Sequence, residues 1–388
     1  MTARPAAIAL ALAAAALLAG CGSAAPAAPG PAAQAPPGGA PFLATSQVTA
    51  AGTWAVAVMG GSAASHNNFW QLFVRPSGST RWKLVTPPGV PDNGGLVVAD
   101  AGGQSLITGF RPSQYLTYTP LTATSDGGQA WSPAGPLDAA LADVPDALAA
   151  APGSGHLLAL TASGAVKLAA PGYTSWNTLA SQHTLASTPA GRHCGLDSLT
   201  AAAFTPSGAP LLAGTCSRPG TAGILADLNG TWQAAAPAMP ATLAHQTITV
   251  PRLTRTADRL AALLAAGTGP ATTLLAAWSA DDGSHWTLSP PLRLNGAALA
   301  SASFGPGGTA AIITTGGQGQ MIASAGRQWQ VLPALPPGTA TLAPGPGGAT
   351  DALAARGTTL TIWQLPPGGT GWTKTQVISV PIQFGSSG

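Results

Sequence analysis

Seven tryptophans cut the chain into nearly equal lengths. Trp82, Trp131, Trp176, Trp232, Trp286, Trp329 and Trp372 follow one another at separations of 49, 45, 56, 54, 43 and 43 residues. Each stands behind a turn that contains glycine, as in "RPSGSTRW", "ADLNGTW" and "PPGGTGW", and most are followed within several residues by proline. Upstream of each tryptophan the chain repeats a form such as "LTAAAFTPSGAPLLAGTCSRPGTAGILAD" (199–227) or "ALASASFGPGGTAAIITTGGQGQMIAS" (298–324). That form is three short apolar runs separated by two turns, and the tryptophan run makes a fourth. Four strands per repeat of this length is the spacing of a β-propeller blade. Seven such units account for residues 42–388, so the sequence predicts an all-β fold, a seven-bladed β-propeller of four-stranded blades.

A helical solenoid of similar period needs a pair of helices in every repeat. The 50 glycines and 37 prolines interrupt the chain too often for that. Residues 257–266, "ADRLAALLAA", are the strongest helical rival and are read as strand with the rest. One blade is expected to take strands from both chain ends, which would lock the ring, with 377–384, "VISVPIQF", as the candidate closing strand.

The first twenty residues carry one charge, Arg4, followed by an uninterrupted Ala/Leu/Ile run, 6–19, too short to span a membrane. The run ends in Leu18-Ala19-Gly20-Cys21. This tetrad resembles the lipobox of bacterial lipoproteins, in which cleavage precedes the cysteine and its sulfur is diacylglycerylated. The resemblance implies a signal peptide over 1–20 and a lipid anchor at Cys21, holding the domain on the extracytoplasmic face of the cell membrane. Residues 21–41, rich in Pro, Ala and Gly and lacking aromatic and charged residues, cannot bury enough apolar area to fold and are expected to be a disordered tether. At about 3.1 Å per residue it would reach roughly 60 Å. In that oxidising compartment the two remaining cysteines, Cys194 and Cys216, are expected to be bonded to each other.

Net charge is +3 and only 7% of residues are charged, with no cluster of Lys or Arg. Nucleic acid, which calls for a concentrated basic footprint, is thereby excluded as a partner. No cofactor motif is present: "GTGPATT" (267–273) and "GGQGQ" (316–320) lack the lysine and following helix of a phosphate loop. No histidine pair shows ligand spacing, so no metal site is expected, and the chain is expected to be a monomer.

Two of the tryptophan turns share a stricter pattern. Thr124-Ser125-Asp126-Gly127-Gly128-Gln129-Ala130-Trp131 and Ser279-Ala280-Asp281-Asp282-Gly283-Ser284-His285-Trp286 both read Ser/Thr-x-Asp-x-Gly-x-x-Trp. The pattern resembles the Asp-box, or BNR repeat, of sialidase-like propellers, and the other five turns are degenerate copies. Physically, the aspartate accepts hydrogen bonds from N–H groups of its own turn, glycine supplies a positive φ, and the aromatic ring is buried between blades. In that family the hairpin joins the third and fourth strands, away from the ligand site. The resemblance therefore makes Asp126, Trp131, Asp281, Gly283 and Trp286 structural, and not the metal or catalytic cluster that two adjacent carboxylates beside His285 first suggest.

The sialidase mechanism uses a tyrosine nucleophile paired with glutamate, and all twelve acidic residues here are aspartate. The expectation is therefore no enzyme: a membrane-anchored binding or scaffold module for a protein or glycan. Propellers of photosystem assembly factors, within the families resembled, act without catalysis. The alternative is a sialidase-like glycoside hydrolase with an atypical all-aspartate site, drawn from Asp92, Asp143, Asp146 or Asp197. The loops opposite the tryptophan turns are the expected ligand face. They include 181–197 and 244–255 and carry His66, Arg111, Tyr115, His183, Arg192, His193, Arg218, His245, Arg252 and Arg255, which suits an anionic glycan, peptide or protein surface.

Overall fold

The structure is a computed structural model. It describes residues 45–49, 52–60, 68–76, 79–87, 96–102, 104–110, 119–137, 148–161, 163–256, 258–324 and 326–380. The leader and tether, 1–41, lie outside the described residues, as do Cys21, His66, Asp92, Arg111, Tyr115, Asp143 and Asp146.

The described chain forms seven antiparallel blades in sequence order: blade 1 (45–84), blade 2 (96–137), blade 3 (148–181), blade 4 (196–234), blade 5 (248–288), blade 6 (299–331) and blade 7 (339–379). Blade 5 carries one extra short strand, Leu292–Arg293, paired to its third. First strands contact one another at the centre, and those of blades 1 and 6 meet in a single parallel bridge, Gln47 with Phe304.

Stacked blades leave each strand with two buried faces, which explains the unbroken apolar runs. Leu260–Ala266 is the clearest case, because all seven residues are buried. Leu260, Ala262, Leu264 and Ala266 pack toward blade 4, while Ala261, Leu263 and Ala265 pack toward blade 6. The helical rival is thus a strand, for its period-2 alternation fills two cores at once. Apolar clusters of this kind fill every junction of the ring, including that between blades 7 and 1, where Ala55, Met59, Phe73 and Trp82 meet Leu353, Leu360 and Ile362.

The closure expected from the chain ends does not occur among the described residues. Thr373–Ser379, which contains the first part of the candidate closing strand, is the outer strand of blade 7 and pairs with Thr359–Leu365 of the same blade. Blade 1 builds its four strands from its own segment. The ring is fastened by side chains instead. Arg75 of blade 1 and Asp351 of blade 7 form a buried ion pair, Nη1 to Oδ2 2.5 Å, with side chains 6% and 1% exposed. The Trp82 indole N–H donates to the same Oδ2 at 2.7 Å and Gln364 Nε2 donates to Oδ1 at 3.2 Å. Gln376 of blade 7 also brackets the Trp82 backbone, accepting from its N–H at 2.9 Å and donating to its carbonyl at 2.8 Å. The Arg75 guanidinium lies 5.6 Å from the Trp82 ring centroid, within cation–π range.

Candidate functional site

In each antiparallel blade the first-to-second and third-to-fourth connections emerge on one face of the ring. The second-to-third connections and the links between blades emerge on the other. The Asp126 and Asp281 turns join third to fourth strands and so lie on the first face.

Their hydrogen bonds are superimposable in kind. Asp126 Oδ1 accepts from Gln129 N–H (2.8 Å), Ala130 N–H (3.0 Å) and the Thr124 hydroxyl (2.7 Å). Asp281 Oδ1 accepts from His285 N–H and the Ser279 hydroxyl, both at 2.8 Å. Gly128 and Gly283 both sit at φ +88°, where a β-carbon is strained, and donate to the Thr124 and Ser279 hydroxyls. The donors hold both carboxyls below the usual range. For Asp126 the chief cause is the Ala130 N–H, and for Asp281, brought to about 2, the His285 N–H followed by its imidazole at 2.5 Å. Both carboxylates are thus engaged by their own turns. The ring of Trp286 spans to blade 4, its indole N–H donating to Ala235 O at 2.7 Å. Trp329 and Trp372 reach back in the same way to Pro290 O and Pro333 O.

On the opposite face, the longest described connections lie on either side of blade 4. There the link from blade 3 to blade 4 folds into two short helices, α1 (Gln182–Ala186) and α2 (Pro189–Cys194). A loop reading of 181–197 misses them, although the stop and start signals stand in the sequence. Ser181 caps α1 in a capping box with Thr184, Thr188 caps α2 ahead of Pro189, and Gly195 ends it in the left-handed conformation. Gly191 of α2 lies so close to Leu185 O of α1 that no side chain would fit. Cys194, the last residue of α2, is disulfide-bonded to Cys216 at the end of Pro210–Cys216, with Cα atoms 5.3 Å apart. Both are buried, and Arg218 N–H adds a 3.0 Å hydrogen bond to Cys194 O.

Beneath α2 lies a cavity of about 290 Å³ between the outer half of blade 4, its 217–222 loop and the link to blade 5. His193, Thr221, Ile224, Leu225, Ala236 and Met239 contribute to its lining. His183, Arg192, His193, Arg218 and His245 are all exposed on this cluster. Arg192 is steadied by donating to Ser187 O.

Arg252 does not belong to the loop face. It stands within the inner strand Ile248–Arg255, 6% exposed, and its Nε donates to Ala302 O of blade 6 at 3.1 Å. A polar residue at an inner-strand position reads as loop in sequence, but here blade packing buries it. Arg255 ends the same strand on the tryptophan-turn side. Asp197 is exposed at the start of the inner strand of blade 4, with its backbone carbonyl accepting from Gln182. Among the described residues no group of three or more His, Cys, Asp or Glu could hold a metal ion, and no helix is long and apolar enough to cross a membrane.

No protein-family model matches the chain, and no curated protein is similar to it in sequence. Solved structures do resemble it. A protein from Lactobacillus plantarum superposes with a TM-score of 0.54 at 9% identity, covering 85% of this chain and 97% of that one. YCF48 from Cyanidioschyzon merolae gives a TM-score of 0.46 at 14% identity, covering 83% and 92%. YCF48 bound to a D1 peptide gives 0.45 at 16%, covering 83% and 89%. At such identities the likeness is one of fold, and the chain is a seven-bladed β-propeller.

Proposed function

We propose that this propeller is a non-enzymatic binding module that engages a protein through the loop cluster over blade 4, and that Cys21 anchors it by lipid to the outer face of the cell membrane. The observation that carries the reading is the construction of that cluster. Two capped helices, a disulfide and close backbone contacts order a loop region before any partner arrives, and five basic or imidazole side chains crowd its surface. Ordering already present in the free protein is not charged against binding. The Asp126 and Asp281 turns fit the same reading as Asp-boxes that brace blades on the far face.

The test is photo-crosslinking on intact cells, with the probe placed at Ser217 on the loop cluster or at Ser284 on the tryptophan-turn face. Capture of one identified protein from Ser217 alone is the expected result. Equal capture from both faces, or turnover of a chromogenic glycoside that a single Asp→Asn change abolishes, would overturn it. An unmodified Cys21 thiol by mass spectrometry would remove the anchor.

A further inference from the structure

Resting on that reading, we propose that the cavity beneath α2 is the anchor pocket for an acidic peptide segment, taking one large apolar side chain while Arg192, Arg218 and the imidazoles beside them hold its carboxylates. The lining dictates the first half. Ala190, Ile224, Leu225, Ala236 and Met239 leave His193 and Thr221 as the polar side chains of the wall, besides the bonded Cys194. Thr221 is already committed, donating its hydroxyl to Arg218 O at 2.5 Å. A wall of this kind rewards burial of hydrocarbon and penalises hydroxyls that find no partner. It contains no Phe, Tyr or Trp on which a sugar ring could stack. A space of about 290 Å³ accepts a Phe or Leu side chain, and the flexible thioether of Met239 can adapt to either.

Charge dictates the second half. The three segments that frame the cavity are 182–195, 217–222 and 235–247. They carry His183, Arg192, His193, Arg218 and His245 and not one carboxylate. The acidic residue next to them in the chain, Asp197, begins an inner strand. A ligand that seats its apolar side chain here brings its flanking residues against that basic rim, so an acidic sequence is favoured and a basic one repelled. The disulfide belongs to the same device. It pins α2, which contributes Ala190, His193 and Cys194 to the wall, onto blade 4.

The experiment measures fluorescence anisotropy of labelled pentapeptides with the full chain, comparing Asp-Asp-Phe-Asp-Asp, Asp-Asp-Gly-Asp-Asp and Lys-Lys-Phe-Lys-Lys. The acidic Phe peptide should bind best, exceeding the Gly peptide by about tenfold or more, and the basic peptide should not bind. Ala238→Trp, at an exposed position of the lining, should reduce the Phe peptide to the level of the Gly peptide. Arg218→Glu should weaken both acidic peptides alike and remove much of their salt dependence. Should Ala238→Trp fail to fold, Met239→Ala should still cost the Phe peptide severalfold while sparing the Gly peptide. Equal binding of Phe and Gly peptides overturns the proposal, as does insensitivity to Ala238→Trp. A heparin-derived hexasaccharide that displaces the Phe peptide from wild type and binds Ala238→Trp undiminished would also overturn it, in favour of a glycan face. If the peptides fail while crosslinking at Ser217 still captures a protein, the anchor pocket falls and the protein-binding reading stands.

Discussion

The junction of blades 7 and 1 is fastened by charge, and the loop cluster over blade 4, almost opposite in the ring, by a covalent bond. The first tie links residues 276 apart in sequence and joins the two ends of the ring. The second links residues 22 apart and joins a connecting helix to the blade it precedes. Both lie in buried surroundings, yet they constrain different things. Losing the first should weaken a seam that the apolar cluster between blades 7 and 1 still fills, whereas losing the second should free a loop from a ring that stays shut.

The sharpest way to break the comparison is Asp351→Ala, which removes the carboxylate opposite the buried Arg75 guanidinium and deprives the Trp82 indole N–H of its acceptor. A loss of about 3–5 kcal/mol in urea unfolding is expected, with hydrogen exchange rising along the facing strands of blades 1 and 7. The pair Arg75→Leu with Asp351→Leu should recover part of that loss. Removing the disulfide by Cys194→Ala with Cys216→Ala should cost about 3 kcal/mol, with faster exchange confined to 182–195 and 217–222. If exchange rises equally at the blade 7–1 junction in the second variant, the two ties are not independent.

Asp100, on the inner strand of blade 2, sharpens the role of the guanidinium. Burial pushes its carboxyl up to about 7, against the lowering by the Gly102 N–H that donates to it at 2.6 Å. The folded-state pKa lies above the unfolded value of about 3.9, so its contribution is whole below pH 4 and lost as pH rises through about 7. Asp100→Asn should therefore leave stability unchanged at pH 4 and raise it at pH 8, by on the order of 2 kcal/mol, in thermal melts. The smallest expected effect is at an ordinary junction. Trp286→Phe keeps most of the apolar contact between blades 4 and 5 and removes the hydrogen bond to Ala235 O, a loss of about 1 kcal/mol by urea titration.

These contrasts also mark what could be read from the chain alone. Blade count and strand type were legible because they repeat: the tryptophan turns set the period, and runs such as Leu260–Ala266 carry two-sided burial in their own composition. The Asp126 and Asp281 turns were legible because their hydrogen bonds are local, within four residues. Arg75 and Asp351 carried no such signal, since their partnership exists only once seven blades have closed. Arg252 misled for a related reason, its burial being the work of blade 6. The helices of 182–194 had their caps in plain sight, but they are too short for any apolar period to announce them. The cavity beneath α2 is assembled from three separate segments, and its shape belongs to the fold.

Because each blade is complete within its own stretch of chain, synthesis order becomes a hazard. Blade 1 emerges with the face that carries Ala55, Met59, Phe73 and Trp82, and that face waits uncovered until blade 7 follows some 250 residues later. At a translation rate of about 5–20 residues per second, the wait is roughly 10–50 seconds. During it the face can adhere to a second nascent chain, and a product truncated before residue 339 would never cover it. Yield from cells should thus depend on what shields blade 1 until the ring is whole.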